Sequence, residues 1–310
     1  MRFRSNSQNK TSHKKHSSTV VIVLLLLILV LINLFFVQLQ KPDSASEAVI
    51  RQAAAKQINK DPNPYKEPND LIDEDFASIT ELNLIKKELS DIKLLKKFNN
   101  LQFLDITSIS HPNKETPGWM SFLSKTGIID IKKRFELDIS PIEKLLNIKR
   151  LSLQSCEIYN LEPLKHLNNL EILLLYKSPV KNIKSLSYLT NIRVLSLDYL
   201  EIKSLEPIKG LTNIRHLYIN GTLVSELESL KELTHLSIIE LRETHISDLK
   251  PLRGLRNLNF IDLRNTPVTN LEPLYALKNL QELDIRSCQS ITERQINELQ
   301  NALPELEIRK

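Results

Sequence analysis

The chain has 310 residues, a formal net charge of +5 and only five glycines. Its length would suggest two ordinary domains unless it is built from repeats, which stack without a closed globular core. The charge excess sits in the tail, where Arg2, Arg4, Lys10, Lys14 and Lys15 supply it with no acid before Asp43; the rest of the chain is formally neutral, so the charge gives no argument for a nucleic-acid partner.

Residues 1–19 therefore read as a basic cytoplasmic tail. Val20 to Val37 is an apolar run of 18 residues interrupted only by Asn33. At ~1.5 Å per residue it reaches roughly 27 Å, close to a hydrocarbon core of ~30 Å. Residues 20–37 thus read as a transmembrane signal-anchor helix. A cleaved signal peptide is the alternative, with Ser44-Ala45-Ser46 as a cleavage site, although its apolar region would be shorter, about 7 to 15 residues. The preceding basic residues predict a cytoplasmic N-terminus, with everything beyond about Gln38 carried out of the cytoplasm. Residues 38–42 read as a linker.

Residues 43–81 read as an N-terminal helical cap. Ser44-Ala45-Ser46-Glu47 has the form of a capping box, opening a helix to about Asn59 with Val49, Ile50, Ala53, Ala54 and Ile58 on one face. Leu71 to Leu84 then leads into a repeat whose pattern is apolar-x-x-apolar-x-apolar. Its central anchor recurs at Leu82, Leu104, Ile129, Leu151, Leu173, Leu195, Leu217, Ile239, Ile261 and Leu283. Eight of the nine spacings are 22; Leu104 to Ile129 is 25.

Other columns keep the same register. Seven residues after the anchors stand Ile158, Val180, Ile202, Val224, Ile246 and Val268, and ten after stand Leu161, Ile183, Leu205, Leu227, Leu249 and Leu271. A 22-residue L-x-x-L-x-L unit lies within the leucine-rich-repeat range. The predicted fold is an α/β leucine-rich-repeat solenoid over 82–290, with a parallel sheet on the concave side and short turns or 3₁₀ segments on the convex side. Pro141, Pro163, Pro207, Pro251 and Pro273, with Ser185 and Ser229 in the same slot, keep the return path from becoming a long helix. Asn100, Asn147, Asn169, Asn191, Asn213, Asn257 and Asn279, with His235 substituting once, read as amides that satisfy turn backbone.

The break at Thr107 to Gly127 holds the only tryptophan, Trp119, and reads as a loop bulged by three residues. Residues 291–310 read as the C-terminal cap, a helix from Thr292 to Ala302 followed by Leu303, Leu306 and Ile308 repeating the strand pattern. Cys156 and Cys288 fall six strands apart, about 29 Å at ~4.8 Å per strand, too far to pair within one chain.

With these motifs, notably "AVIRQAAAKQ...LIDEDFASITELNL" and "LTNIRHLYINGTLVSELESL", residues 43–310 resemble the bacterial short leucine-rich-repeat proteins of the internalin-like type. The 22-residue unit also resembles that of protein phosphatase regulatory subunits. Either resemblance implies a curved right-handed solenoid that binds proteins. The N-terminal anchor has no counterpart in the internalin pattern, and that family's cell-wall sorting motif does not precede Lys310. The topology argues against the cytosolic exposure a phosphatase-regulator-like subunit would need.

On each strand, side chains flanking the buried pair face the concave side. This column reading exposes Ile172, Leu174, Tyr176, Val194, His216, Tyr218 and Phe260, with Tyr199 one place off the column, as a protein-binding cluster. The last strands repeat acid then base, Glu240/Arg242, Asp262/Arg264 and Asp284/Arg286, a ladder whose columns neutralise each other and whose arginines could add charge specificity. There is no G-x-x-x-x-G-K-[ST], G-x-S-x-G, H-E-x-x-H or C-x-x-C, so the sequence carries no enzyme constellation, cofactor cradle or metal quartet. The function expected is a membrane-anchored module gripping a protein partner outside the cytoplasm. The alternative is a rigid scaffold roughly 48 Å long acting through its transmembrane helix.

Overall fold

A computed structural model describes residues 44–60, 66–87, 89, 91–107 and 136–310. The anchor segment 20–37, Trp119 and most of the 107–127 break lie outside these residues. No helix among the described residues is long and apolar enough to cross a membrane.

Ten three-residue strands form one parallel sheet in chain order. They are β1 (Glu81–Asn83), β2 (Phe103–Asp105), β3 (Arg150–Ser152), β4 (Ile172–Leu174), β5 (Val194–Ser196), β6 (His216–Tyr218), β7 (Ile238–Glu240), β8 (Phe260–Asp262), β9 (Glu282–Asp284) and β10 (Glu307–Arg309). The anchors pair in register from Leu151 with Leu173 to Ile261 with Leu283. From β1 to β9 the anchor is buried while the residue before it is left half-buried or exposed, the period-two alternation of a pleated strand. The seventh- and tenth-residue columns are buried to within 3% of complete exclusion, from Ile158 to Leu271. Each such side chain contributes about 1.5–3 kcal/mol on burial, and none could be buried by its own repeat alone.

The return path is 3₁₀ throughout β3 to β9, with Pro163, Pro207, Pro251 and Pro273 in the first turn of their segments. Proline suits that position because its missing N–H has no intrahelical partner there. Where serine takes the slot it bonds to the preceding repeat: Ser185 Oγ donates to Glu162 at 2.5 Å and Ser229 Oγ to Glu206 at 3.1 Å. The asparagine column behaves as its chemistry predicts. Asn169, Asn191, Asn213, Asn257 and Asn279 each donate Nδ2 to a backbone carbonyl of the preceding repeat at 2.7–2.9 Å, and the ring of His235 meets the equivalent carbonyl of Thr212 at 3.1 Å.

The caps also form. Helix α1 (Ser44–Ile58) buries Ile50 and Ala54 against the first repeat, and α2 (Asp73–Ser78) buries Phe76. Helix α3 (Glu293–Ala302) is opened by a Thr292/Gln295 capping box and runs into β10. Cys156 and Cys288 are buried in one slot shared with Ser178, Thr222, Thr244 and Thr266, a small-donor column whose side chains bond to backbone carbonyls.

One expectation fails. Leu104 pairs directly with Leu151, so no strand centred on Ile129 stands between β2 and β3. These neighbours lie 47 residues apart instead of 22, an insertion of 25 rather than a bulge of three. The β2 repeat takes its return path from the 3₁₀ segment Ser140–Lys144, where Ile139, Ile142, Leu145 and Ile148 are buried as in any other unit. The apolar stretch around Ile129 mimicked the strand pattern because an insertion of 25 nearly matches the period.

A second feature escaped the sequence. Four residues after each described anchor from β3 to β9 the backbone is left-handed: Ser155, Lys177, Tyr199, Gly221, Glu243, Asn265 and Ser287 have φ between 53° and 65°. This kink turns the chain out of the strand while its N–H still reaches the next repeat, as in Lys177 to Asp198 O at 3.0 Å and Tyr199 to Asn220 O at 2.7 Å.

Candidate functional site

The sheet face is built by three columns: the residues one before, one after and three after each anchor. In the first, Ile172, Val194, His216, Ile238 and Phe260 stand side by side through the strand register. All five are half-buried. In-register parallel pairing sets them about 4.8 Å apart, so each covers its neighbour. Leu174, Tyr176, Tyr199 and Tyr218 are half-buried as well, which corrects the reading of freely exposed groups. His216 is held below its ordinary pKa by burial and by nearby Arg215, so the middle of the column is uncharged at neutral pH.

Tyr199 occupies a left-handed turn, and this carries its ring over the turn of the next repeat. The residue beneath is Gly221, with φ +63°; a Cβ there would stand 2.4 Å from Tyr199 Cδ1. Beyond Gly221 the Tyr199 hydroxyl accepts from Nη2 of Arg242, two strands away. On the other side Tyr199 meets Tyr176 edge-on, ring centroids 5.5 Å apart, and Lys177 Nζ lies 5.2 Å and 5.4 Å from the two centroids. Hydrogen bonding to Tyr176 raises the Lys177 pKa. The pair is thereby fixed in place from both ends before any partner arrives.

Under the rings runs a polar chain. Ser196 Oγ donates to Asp198 at 2.7 Å, the Asn220 N–H donates to the same carboxylate at 2.8 Å, and Asn220 Nδ2 donates to Glu240 at 2.7 Å. The Arg242 N–H closes the chain on Asn220 Oδ1 at 2.9 Å. Burial pushes the carboxyls of Asp198 and Glu240 above the usual range despite these bonds, and burial with the two acids raises Tyr218.

The C-terminal strands of the same face differ. Arg264 Nε and Nη2 grip Asp262 at 3.0 and 2.5 Å and reach Asp284 at 3.4 Å; Arg286 grips Asp284 in turn at 3.0 and 2.5 Å. Asp262 and Asp284 are buried, while Arg264 is half-buried and Arg286 exposed. Burial pushes Asp284 up, but the bonds and charge of Arg286 outweigh it and leave it below the ordinary carboxylate range. The ladder therefore neutralises itself at Asp262/Arg264 and Asp284/Arg286. It does not at Glu240/Arg242, whose members turn to Asn220 and Tyr199.

Sequence reasoning missed Phe103, 42% exposed on β2, because its columns began only after the break. Phe103 lines a hollow of about 360 Å³ with Glu81, Asp105 and Arg150. On the return side a groove of about 880 Å³ includes Lys184, Lys203 and Tyr188, the last 61% exposed. It is open and polar-rimmed, and none of its side chains reaches the sheet face.

No family model matches the chain. No curated protein matches its sequence. Solved structures match its fold. An internalin C2 of Listeria monocytogenes superposes with TM-score 0.63 at 22% identity, over 79% of this chain and 92% of that one. A second internalin of that organism, inlF, gives 0.51 at 20%, over 86% and 90%. A leucine-rich-repeat protein of Leptospira interrogans gives 0.51 at 21%, over 77% and 69%.

Proposed function

We propose that this leucine-rich-repeat chain, internalin-like in fold, is a membrane-anchored protein-binding module that grips a protein partner outside the cytoplasm with its sheet face. One observation carries this reading: on the sheet face that bears the column Ile172–Val194–His216–Ile238, Tyr176 and Tyr199 are held edge-on, with Gly221 and Arg242 holding Tyr199. Rigid aromatic groups backed by apolar neighbours supply contact area at little cost in side-chain entropy, which is why such residues dominate binding energy at interfaces. The anchor and the side of the membrane rest on the sequence alone: the apolar run 20–37 and the basic residues before it.

The test is crosslinking and capture from native membranes, comparing the intact chain with Tyr176/Tyr199/Tyr218→Ser and with Tyr188→Ser on the return side. Capture of a partner lost only in the first variant supports the sheet face. Equal recovery from all three sinks the site assignment and favours a scaffold acting through residues 20–37.

A further inference from the structure

The two ends of a solenoid present the last open edges of its sheet. At β10 the N–H of Glu307 goes to Gln281 O at 2.8 Å, and the carbonyl of Arg309 accepts from Ile285 N–H at 2.9 Å, so both residues turn their backbone toward β9. Strand alternation then points the N–H and C=O of Ile308 outward, and no strand among the described residues pairs with them. The Ile308 side chain packs against the core but stays only half-buried, while the flanking Glu307 and Arg309 are exposed. Charge at this edge is incomplete. Arg309 alone serves two carboxylates, Glu282 at 2.8 Å and Glu307 at 3.3 Å.

We propose that β10 pairs with β10 of a second copy of this chain, antiparallel about a two-fold axis through Ile308. That operator places Ile308 opposite itself, so the two residues exchange both outward hydrogen bonds with Cα atoms about 5.5 Å apart. Their side chains lie on the core-facing side and cover each other. The same operator sets Glu307 opposite the second copy's Arg309 and Arg309 opposite its Glu307, so opposite charges face each other at both flanking positions while each Arg309 keeps its own Glu282. Short charged edge strands ordinarily discourage pairing. Here the alternating signs discourage like-charged edges and admit this one. A two-fold pairing uses the same edge of both copies and leaves neither β10 open to a third chain. The pairing therefore closes as a dimer and does not propagate into a filament.

This inference is independent of the sheet-face reading, since it touches none of the tyrosines. It is tested with the full chain in its membranes carrying Ile308→Cys, under mild oxidation; Cys156 and Cys288 are buried and shielded from it. A disulfide-linked dimer is expected. Adding Arg309→Glu should lower its yield roughly tenfold by setting like charges opposite one another, and adding Glu307→Arg to that variant should restore it. Absence of the dimer, a yield indifferent to Arg309→Glu, or no recovery in the charge-swapped variant overturns the proposal. Association driven by residues 20–37 would show that indifference.

Discussion

Strands β4–β7 and strands β8–β9 share one backbone, one register and one set of left-handed turns, yet they use their sheet-face side chains differently. In the first group the columns hold apolar and aromatic residues over carboxylates that lack a gripping cation, Asp198 and Glu240 being bound instead by Ser196 and Asn220. In the second each buried aspartate is gripped by an arginine two residues on. The lesson is that the fold does not dictate where binding occurs. A self-satisfied ladder such as Asp262–Arg264–Asp284–Arg286 has little left to offer a partner, whereas an immobilised but incompletely covered cluster does.

The contrast can be broken by mutation on either side. The largest effect on stability is expected at the ladder. Asp262→Ala removes a buried acceptor of Arg264 and should lower unfolding free energy by about 2–3 kcal/mol, measured by chemical denaturation, with partner capture unchanged. Loss of capture in that variant would merge the two regions into one site.

Next comes Gly221→Ala, expected to cost about 1–2 kcal/mol for an alanine held at positive φ. It should also weaken capture, because the new Cβ displaces the Tyr199 ring. Asn265→Ala at the equivalent β8 turn, φ 54°, lies under no ring and should leave capture intact. If the two variants bind alike, Tyr199 is not held for recognition.

The smallest effect is electrostatic and opposite in sign between the regions. Glu240 is raised by burial, so its contribution to stability is present below the unfolded-state pKa and is lost as pH rises through the higher folded value. Asp284 is depressed, so its contribution is present above the unfolded pKa and is lost as pH falls through the lower folded one. Urea midpoints between about pH 3 and 7 should therefore show Glu240→Gln gaining stability relative to the parent toward neutrality, and Asp284→Asn losing it there. Parallel curves for the two variants would refute the assignment.

Periodic features were legible in the sequence because their chemistry repeats. The leucine columns, the Pro/Ser return slot and the Asn column each recur every 22 positions, and the structure buries the first, makes the second a 3₁₀ turn and bonds the third to turn carbonyls. The left-handed column was hidden because backbone geometry there is imposed by neighbouring repeats, and its occupants, from Lys177 through Tyr199 to Glu243, share no side-chain chemistry. Tyr199 looked one place out of line for the same reason; the kink brings it back over Gly221 and onto Tyr176. The strand expected at Ile129 shows the reverse failure, since local hydrophobic spacing cannot distinguish a repeat from an insertion of nearly one period. Half-burial of the candidate cluster was equally invisible, because it arises between strands and not within one.

The 47-residue separation of β2 and β3 has a consequence for how the molecule assembles. Every joint from β3 to β9 closes over 22 residues, whereas this one closes over 47. Loop-closure entropy grows only logarithmically, so the added length weakens the joint by no more than about 0.7 kcal/mol at equilibrium. Kinetically the two sides separate. The seven evenly spaced repeats can zip by nearest-neighbour addition from a nucleus anywhere among them, while α1, α2, β1 and β2 must find β3 across a longer excursion. A molecule pulled from its ends is then expected to yield in two stages, the capped N-terminal pair letting go of β3 before the even array unravels.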